Sequence, residues 1–206
     1  MKVKKTGSTL LLESIRVIDG QAPLLSFHQK RMDRVRRVLF PKSKPLKLVK
    51  ILEEHELPQR GLFKLRIEYS DVVQRQELVP YVAKPVRSIR LVNADKVLYG
   101  KKFADRASIR QCLEKKGDCD DILMVQRGHI TDASYANVAL FDGQHWYTPS
   151  WPLLRGTRRE ELIENGTLRP SVIRERDLDS FQSIRLINAM LPWGEGPTLG
   201  MEAVRR

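Results

Sequence analysis

The stretch of sequence that decides the fold spans residues 120–141 and reads DDILMVQRGHITDASYANVALF. Residues 122–125 are consecutive apolar residues, a pattern typical of a buried strand. A turn at Arg127-Gly128 indicates a hairpin, and residues 137–141 predict another strand. The stretch therefore predicts a set of closely connected strands with buried side chains.

Short strands and helices alternate on both sides of this hairpin. In the second half of the chain we predict further strands at residues 89–92, 146–148 and 181–187, and helices at residues 107–116 and 158–164. Gly117 and Gly166 follow the two helices, and glycine is favoured there because helices often end in a left-handed residue. Alternation with hairpins of this kind favours an α+β fold.

The first half of the chain predicts a smaller unit of the same mixed type. Its elements are strands at residues 9–18, 63–69 and 72–82, and helices at residues 26–40 and 46–56. We expect Ser26 to cap the first helix, since a serine side chain can accept a hydrogen bond from an early N–H group. Pro85 marks the change of pattern, so we expect a small lobe at residues 1–86 and a large lobe at residues 87–206.

The 206-residue chain carries a large excess of positive charge. It contains 37 Lys and Arg against 25 Asp and Glu, a formal net charge of +12. This excess predicts an anionic partner, which could be nucleic acid, a membrane surface, or a small acid or phosphate. Hydrophobic residues make up 41% of the chain, which is typical of a globular protein and argues against disorder.

The apolar and cysteine patterns exclude several classes of protein. No apolar run is long enough for a transmembrane helix, and the run at residues 10–12 ends at Glu13, too early for an export signal. Cys112 and Cys119 cannot build a disulfide scaffold and lack the spacing of a zinc or redox motif. We therefore expect a cytoplasmic protein with no membrane partner and no metal site.

Five short motifs carry the chemistry, and they occur in a fixed order. They are KFADR at residues 102–106, DDILMV at residues 120–125, GHITDASYAN at residues 128–137, TP at residues 148–149 and GTRR at residues 156–159. In this order they resemble the class IV aminotransferases, the pyridoxal-phosphate family that includes branched-chain and D-amino-acid transaminases and aminodeoxychorismate lyase. LESIR at residues 12–16 and HQKR at residues 28–31 are similar to the first strand and helix of that family.

The resemblance covers about residues 10–193 and implies fold type IV of the pyridoxal-phosphate enzymes. That fold, as in D-amino-acid aminotransferase, has a small N-terminal α/β lobe and a larger C-terminal lobe built on a mixed-sheet pseudo-barrel. The family's cofactor lysine corresponds to Lys102, whose amine would hold the cofactor and then act as acid and base. The neighbouring Lys101 is the other candidate for the cofactor lysine. For either residue the alternative is an ordinary solvated surface lysine.

The resemblance also implies residues for the ring and the phosphate. Asp132 stands where the family usually has Glu, five residues before Asn137, and would pair with the pyridine nitrogen; the alternative is an ordinary turn aspartate. Arg31 matches the family's phosphate-binding arginine and lies on the apolar side of its predicted helix, where a guanidinium needs an anion. On the same helix we expect Arg34, Arg36 and Arg37 to face solvent.

A second phosphate contact is expected where the helix near residue 158 begins. Free N–H groups and the helix dipole favour an anion there, and the resemblance places Thr157 and Arg158 at it, with a hydroxyl residue more usual at the position of Arg158. Asn188 and Ala189 match the family's last turn on the phosphate side.

Two reactions share such a site. The spacing of Lys102 and Arg106 is nearer to that of the lyase, which releases pyruvate from aminodeoxychorismate to give 4-aminobenzoate for folate biosynthesis. Arg106 would contact the cofactor oxygen or a substrate carboxylate, and a salt bridge to Asp105 or Asp118 is the alternative. A branched-chain or D-amino-acid transaminase is the competing activity.

The expected partners are a small anionic substrate and, by family resemblance, a second copy of the chain in a homodimer. Residues 31–50 are rich in Arg and Lys, which makes a basic nucleic-acid-binding protein a distant alternative. No helix-turn-helix, aromatic RNA platform or zinc finger is visible, so we expect no nucleic-acid partner. A family member that binds the cofactor without turnover is a third possibility, because Asp132 and Arg158 depart from the family pattern.

Overall fold

The computed structural model describes residues 9–206, which fall into two compact units. Among the described residues, the first unit comprises residues 9–82 together with Lys101–Asp105, and the second comprises Ala83–Gly100 and Arg106–Arg206. Residues 101–105 belong to the first unit although they follow the start of the second in sequence. The reason is that their backbone is hydrogen-bonded to the first strand, as described below.

The first unit is a three-stranded antiparallel sheet with two helices. Its strands are β1 (Leu11–Ile18), β2 (Leu62–Tyr69) and β3 (Val73–Pro80), in the order β1-β2-β3, and its helices are α1 (Leu25–Leu39) and α2 (Leu48–Glu53). The alternation predicted for β2 is confirmed, because Leu65, Ile67 and Tyr69 are buried while the residues between them are partly exposed. This apolar face packs with the apolar side of α1 into one core.

Two predictions about α1 are wrong. Ser26 does not cap the helix: α1 begins at Leu25, with Leu24 at the cap position and no side-chain hydrogen bond there. Arg36 does not face solvent but is 4% exposed. Its guanidinium donates hydrogen bonds to the carbonyl oxygens of Ser70, Lys44 and Asp71 and to the hydroxyl of Ser43. Burial is tolerated because these acceptors replace water.

The second unit is built on a nine-stranded mixed sheet. Its strands are β4 (Ile89–Asn93), β5 (Asp121–Gln126), β6 (His129–Ala133), β7 (Asn137–Phe141), β8 (Trp146–Pro149), β9 (Arg169–Ser171), β10 (Ser183–Ile187), β11 (Thr198–Gly200) and β12 (Val204–Arg205). The main order is β11-β10-β7-β6-β5-β4-β12, and β8 pairs with β7 and β9. β5, β6 and β7 are almost entirely buried, and for β5 the apolar residues 122–125 predict this burial.

Helices of the second unit are short. They are α3 (Ala107–Leu113), which continues as one 3₁₀ turn (Glu114–Lys116), and α4 (Thr157–Glu164), with further 3₁₀ segments at Glu175–Ser180 and Met201–Ala203. Gly117 and Gly166 follow the ends of α3 and α4 with positive φ of 59° and 79°, which confirms their role in ending the helices. The mixed α and β architecture confirms the α+β fold class.

Candidate active site

Lys102 lies beside the start of β1 in the first unit. The Leu12 N–H donates to the Lys102 carbonyl over 2.8 Å, and the Ala104 N–H donates to the Leu10 carbonyl over 2.9 Å. These bonds hold residues 102–104 antiparallel to β1. Lys101 and Lys102 are both half-buried, so exposure does not distinguish the two lysines.

A buried ionic network occupies the same unit. Arg31 donates from Nε to Glu13 Oε1 over 2.9 Å and from Nη2 to Glu13 Oε2. His28 Nδ1 lies 2.6 Å from the same Oε2. Glu13 and His28 are fully buried and Arg31 is 4% exposed. His28 and Arg31 are three residues apart on α1, so both reach the carboxylate that β1 presents.

The protonation states of this network follow from its charges. Burial opposes ionisation of Glu13, but the Arg31 charge and the hydrogen bond to His28 outweigh it and lower the pKa of the carboxyl to about 2. Burial also lowers the pKa of His28, with Glu13 opposing it and the charges of Arg31 and Lys102 adding to it. At neutral pH the network is therefore a carboxylate, a guanidinium and a neutral imidazole.

The sequence predictions missed Glu13. The anion that contacts Arg31 within the first unit is this carboxylate, and the phosphate contact expected for Arg31 stays a prediction. A signal was present: Glu13 shares one face of the strand with Leu11, Ile15 and Val17, so it falls on an apolar face where a lone charge needs a partner.

Asp132 is held in the second unit at the end of β6. It is 4% exposed, and it faces Asn137 across the β6–β7 pair. Asn137 Nδ2 donates to Oδ1 over 2.7 Å, and the Leu154 N–H donates to Oδ2 over 2.9 Å. Asn137 Nδ2 also lies 2.7 Å from the Leu154 carbonyl, so one amide ties the hairpin to the loop before α4.

The carboxyl of Asp132 is poised between its two protonation states. Burial raises its pKa to about 7, and the hydrogen bonds from Asn137 and Leu154 and the charge of Arg159 offset only part of that effect. Arg159 is itself buried and donates to the Thr148 hydroxyl and the Pro149 carbonyl. A cationic N–H beside Asp132 would therefore favour its ionised form.

The N-terminus of α4 contains buried polar side chains and one donor without a partner. Gly156 precedes the helix, and a Cβ there would lie 2.1 Å from Asn137 Oδ1, so only glycine fits. Thr157 and Arg158 are buried at the first two helical positions. Arg158 Nη1 donates to Glu161 over 3.0 Å, whereas its buried Nε has no hydrogen-bond partner among residues 9–206. Unpaired donors at a helix N-terminus favour a negative group.

Two further residues predicted for the site, Arg106 and Asn188, contact the turn between β6 and β7. The Arg106 guanidinium donates to the Ser134 carbonyl, and Asn188 Nδ2 approaches the Tyr135 carbonyl at 3.4 Å. Asn188 Oδ1 also accepts the Met190 N–H, which shapes the turn that contains Ala189. The salt bridge from Arg106 to Asp118 is not formed, because Asp118 pairs with Arg205 at 2.7 Å and Arg90 at 3.5 Å.

Comparison with known proteins identifies the family. Residues 86–195 match the model of the class IV aminotransferases (Amino-transferase class IV). An uncharacterized protein of Haemophilus influenzae is 32% identical over 183 residues, which cover 87% of this chain and 97% of that protein. The chain therefore belongs to the class IV aminotransferase family.

Two solved structures are similar over most of the chain. A protein of Haemophilus somnus 129pt, provisionally named 4-amino-4-deoxychorismate lyase, is 34% identical with a TM-score of 0.84, covering 90% of this chain and 98% of that one. A hypothetical aminotransferase of Mycobacterium tuberculosis, solved with pyridoxal phosphate bound, is 18% identical with a TM-score of 0.71, covering 93% and 80%.

Membership of the family confirms three expectations from the sequence: fold type IV, an enzyme of the class IV lyases and aminotransferases, and pyridoxal phosphate as the cofactor. No helix within residues 9–206 has the length and apolar character needed to cross a bilayer.

Proposed function

We propose that Lys102 holds pyridoxal phosphate covalently and that residues of the second unit hold its ring and its phosphate. Asp132 supports the position of the ring, because its raised pKa of about 7 reflects a buried carboxylate without a full counter-charge. A protonated pyridine nitrogen would supply that charge. Asp132 would then keep the nitrogen protonated, while Asn137 and Leu154 fix the orientation of the carboxylate.

The N-terminus of α4 would hold the phosphate. Its support is the unpartnered Arg158 Nε and the backbone N–H groups of the first turn of α4, which begins at Thr157. Asn188, Ala189 and Arg31 are the further phosphate contacts that the family pattern predicts. When bound, the cofactor supplies an electron-poor ring that takes up an electron pair released next to the substrate nitrogen.

The reaction we propose is conversion of 4-amino-4-deoxychorismate to 4-aminobenzoate and pyruvate. The observation that carries it is the 34% identity to the Haemophilus somnus protein over 98% of that chain. The substrate ring loses one proton and its enolpyruvyl group, and aromatisation supplies the driving force, so the protein needs only to place a base and an acid. Lys102 would take the ring proton, and Arg106 would bind a substrate carboxylate.

A direct assay tests this reaction. Purified holoenzyme is incubated with aminodeoxychorismate, pyruvate is measured by coupling to lactate dehydrogenase, and 4-aminobenzoate is measured by chromatography. We expect equal amounts of the two products. Amino transfer from common amino acids to 2-oxo acids without 4-aminobenzoate would assign a branched-chain or D-amino-acid transaminase. Cofactor binding without either activity would indicate a member that does not turn over.

The covalent site has its own experiment. Borohydride reduction of the holoenzyme followed by peptide mass mapping should place the adduct on Lys102. Lys101→Ala is the matched control, since it removes the neighbouring half-buried amine and should leave the adduct in place. An adduct on Lys101 would contradict the assignment.

We also infer a cytoplasmic homodimer that acts in folate biosynthesis. The support is the family resemblance and the proposed product, 4-aminobenzoate. Light scattering on the purified protein tests the dimer, and 4-aminobenzoate supplementation of a deletion strain tests the pathway.

A further inference from the structure

A cleft of about 570 Å³ opens in the second unit, apart from every residue assigned above. Its lining combines the β5–β6 turn, the start of the 3₁₀ segment at Glu175–Ser180 and the last residue described. The side chains that line it are Arg127, His129, Arg174, Glu175, Arg176 and Arg206. Four arginines and one glutamate therefore line a cavity in the size range of small-molecule sites.

The cleft is built by backbone hydrogen bonds, so its shape is set before any ligand arrives. The Glu175 N–H donates to the Gly128 carbonyl over 3.0 Å, and His129 pairs with Arg174 in an antiparallel bridge. Asp95 Oδ1 accepts the Arg127 N–H over 2.6 Å. These bonds join the two lining segments and anchor the turn that carries Arg127.

Arg127 occupies a backbone conformation that does not suit it. Its φ is +50°, and it is followed by Gly128 at +74°. Asparagine, aspartate and glycine are the residues that adopt such a turn easily, whereas a long side chain is disfavoured there. An arginine at this position loses stability relative to asparagine, and such outliers concentrate at sites with a functional role.

The positive charge in the cleft is only partly neutralised. Arg206 Nη2 donates to both carboxylate oxygens of Asp179 at 2.9 Å, and Arg176 Nε lies 3.8 Å from Asp177 Oδ1. Within residues 9–206, neither Arg127 nor Arg174 forms an ion pair with a carboxylate, although the Arg127 N–H and, more weakly, its charge lower the pKa of Asp95. Two fork-shaped donors thus remain available on opposite lining segments.

We propose that this cleft binds a small molecule with two or more phosphate or carboxylate groups. A guanidinium presents two parallel N–H donors that match either oxyanion, so Arg127 and Arg174 would each take one group. Two linked anionic groups bridge the two lining segments, whereas a single anion engages one of them. The site also gives a role to part of the positive charge that the cofactor and substrate leave unexplained. It does not depend on which reaction the enzyme catalyses.

Isothermal titration calorimetry on the cofactor-loaded protein tests the proposal, with pyrophosphate, citrate and sulfate as probes. Loading with pyridoxal phosphate fills the cofactor's own phosphate contacts, so those contacts cannot account for the heat. We expect pyrophosphate or citrate to bind at least tenfold more tightly than sulfate. Tighter pyrophosphate assigns a phosphorylated ligand, and tighter citrate assigns a polycarboxylate.

Variants locate the binding. Arg127→Asn and Arg174→Ala should each weaken the tighter probe at least tenfold, while Arg169→Ala, an exposed arginine of β9 outside the cleft, should change it less than twofold. Arg127→Asn should also raise the melting temperature, since asparagine accepts the turn. Absence of binding, unchanged affinity in both cleft variants, or an equal loss in Arg169→Ala would overturn the proposal. Arg174→Ala keeps the test valid if Arg127→Asn does not fold.

Discussion

The replacement Asp132→Asn separates two effects of the carboxyl group: the stability that its buried charge costs the apoprotein, and the affinity that it contributes to cofactor binding. Asparagine has nearly the same shape and resembles the protonated acid, with one acceptor and one donor end. It can still accept the hydrogen bond from Asn137 or from Leu154, but not both. Without the cofactor, the variant therefore tests how unfavourable the buried charge is.

The magnitude follows from the pKa of Asp132, which burial raises from 3.8 to about 7. Between pH 3.8 and pH 7, Asp132 keeps its proton in the folded chain but has lost it in the unfolded chain. The contribution of Asp132 to the free energy of unfolding is therefore largest below pH 4 and declines as the pH rises towards 7. The total decline is up to about 4 kcal/mol, at about 1.4 kcal/mol for each pH unit.

Urea unfolding of apoprotein between pH 4 and pH 8 measures this difference. At pH 4 the free energies of unfolding of wild type and Asp132→Asn should agree within about 1 kcal/mol. At pH 8 the variant should be more stable than wild type by up to about 4 kcal/mol. The same variant should bind pyridoxal phosphate at least tenfold more weakly, or about 1.4 kcal/mol.

Asp142→Asn is the matched control. Asp142 accepts N–H bonds from His145 and Gln144, which lower its pKa below the ordinary 3.8. Its contribution to stability is lost only below that value, so the difference between wild type and Asp142→Asn should stay nearly constant between pH 4 and pH 8. If the difference between wild type and Asp132→Asn is flat across this pH range, Asp132 is not strained by burial and the proposed reason for its pairing with a cation fails.

Three other substitutions have defined outcomes in the same unfolding assay. Gly156→Ala should lower the free energy of unfolding by about 2 kcal/mol, because the new methyl group displaces the Asn137 amide from its 2.7 Å bonds to Asp132 and the Leu154 carbonyl. The same substitution should also weaken cofactor binding. Glu13→Gln should lose about 3 kcal/mol, since it leaves a buried guanidinium without its counter-ion. Arg36→Ala should lose about 2 kcal/mol through three orphaned carbonyls, whereas exposed Arg37→Ala should stay within about 0.5 kcal/mol.

The strands and helices could be predicted because their side chains report burial directly. β2 alternates, residues 122–125 of β5 are apolar, and glycines follow the helical segments of α3 and α4. The exceptions are polar groups whose partners are distant in sequence. The buried Arg36 guanidinium donates to the carbonyls of Ser70 and Asp71, which lie 34 and 35 residues away in sequence. The periodicity of a helix gives no information about such backbone acceptors.

The candidate site shows the same division. Its motif residues could be recognised in order. The contact of Asp132 with Asn137 is local, because the two residues lie five positions apart and pair across one hairpin. The position of Lys102 could not be predicted from side-chain pattern, because backbone bonds to Leu10 and Leu12 place it in the first unit. Glu13 was missed because its partner lies 18 residues away on another element.

The Glu13 carboxylate changes how a phosphate role for Arg31 must be tested. Arg31→Met alone removes the guanidinium from the buried Glu13 carboxylate and leaves it the hydrogen bond to His28, so the variant should lose about 3 kcal/mol of stability and bind cofactor more weakly for that reason alone. Combining it with Glu13→Gln removes both charges and should restore most of the stability.

If the remaining donors of Arg31 contact the phosphate, the double variant should still bind pyridoxal phosphate about 10- to 100-fold more weakly, the equivalent of one charged hydrogen bond. Arg37→Met on the exposed side of α1 controls for net charge. Affinity equal to wild type in a stable double variant would mean that Arg31 serves Glu13 alone, and that the N-terminus of α4 binds the phosphate without it.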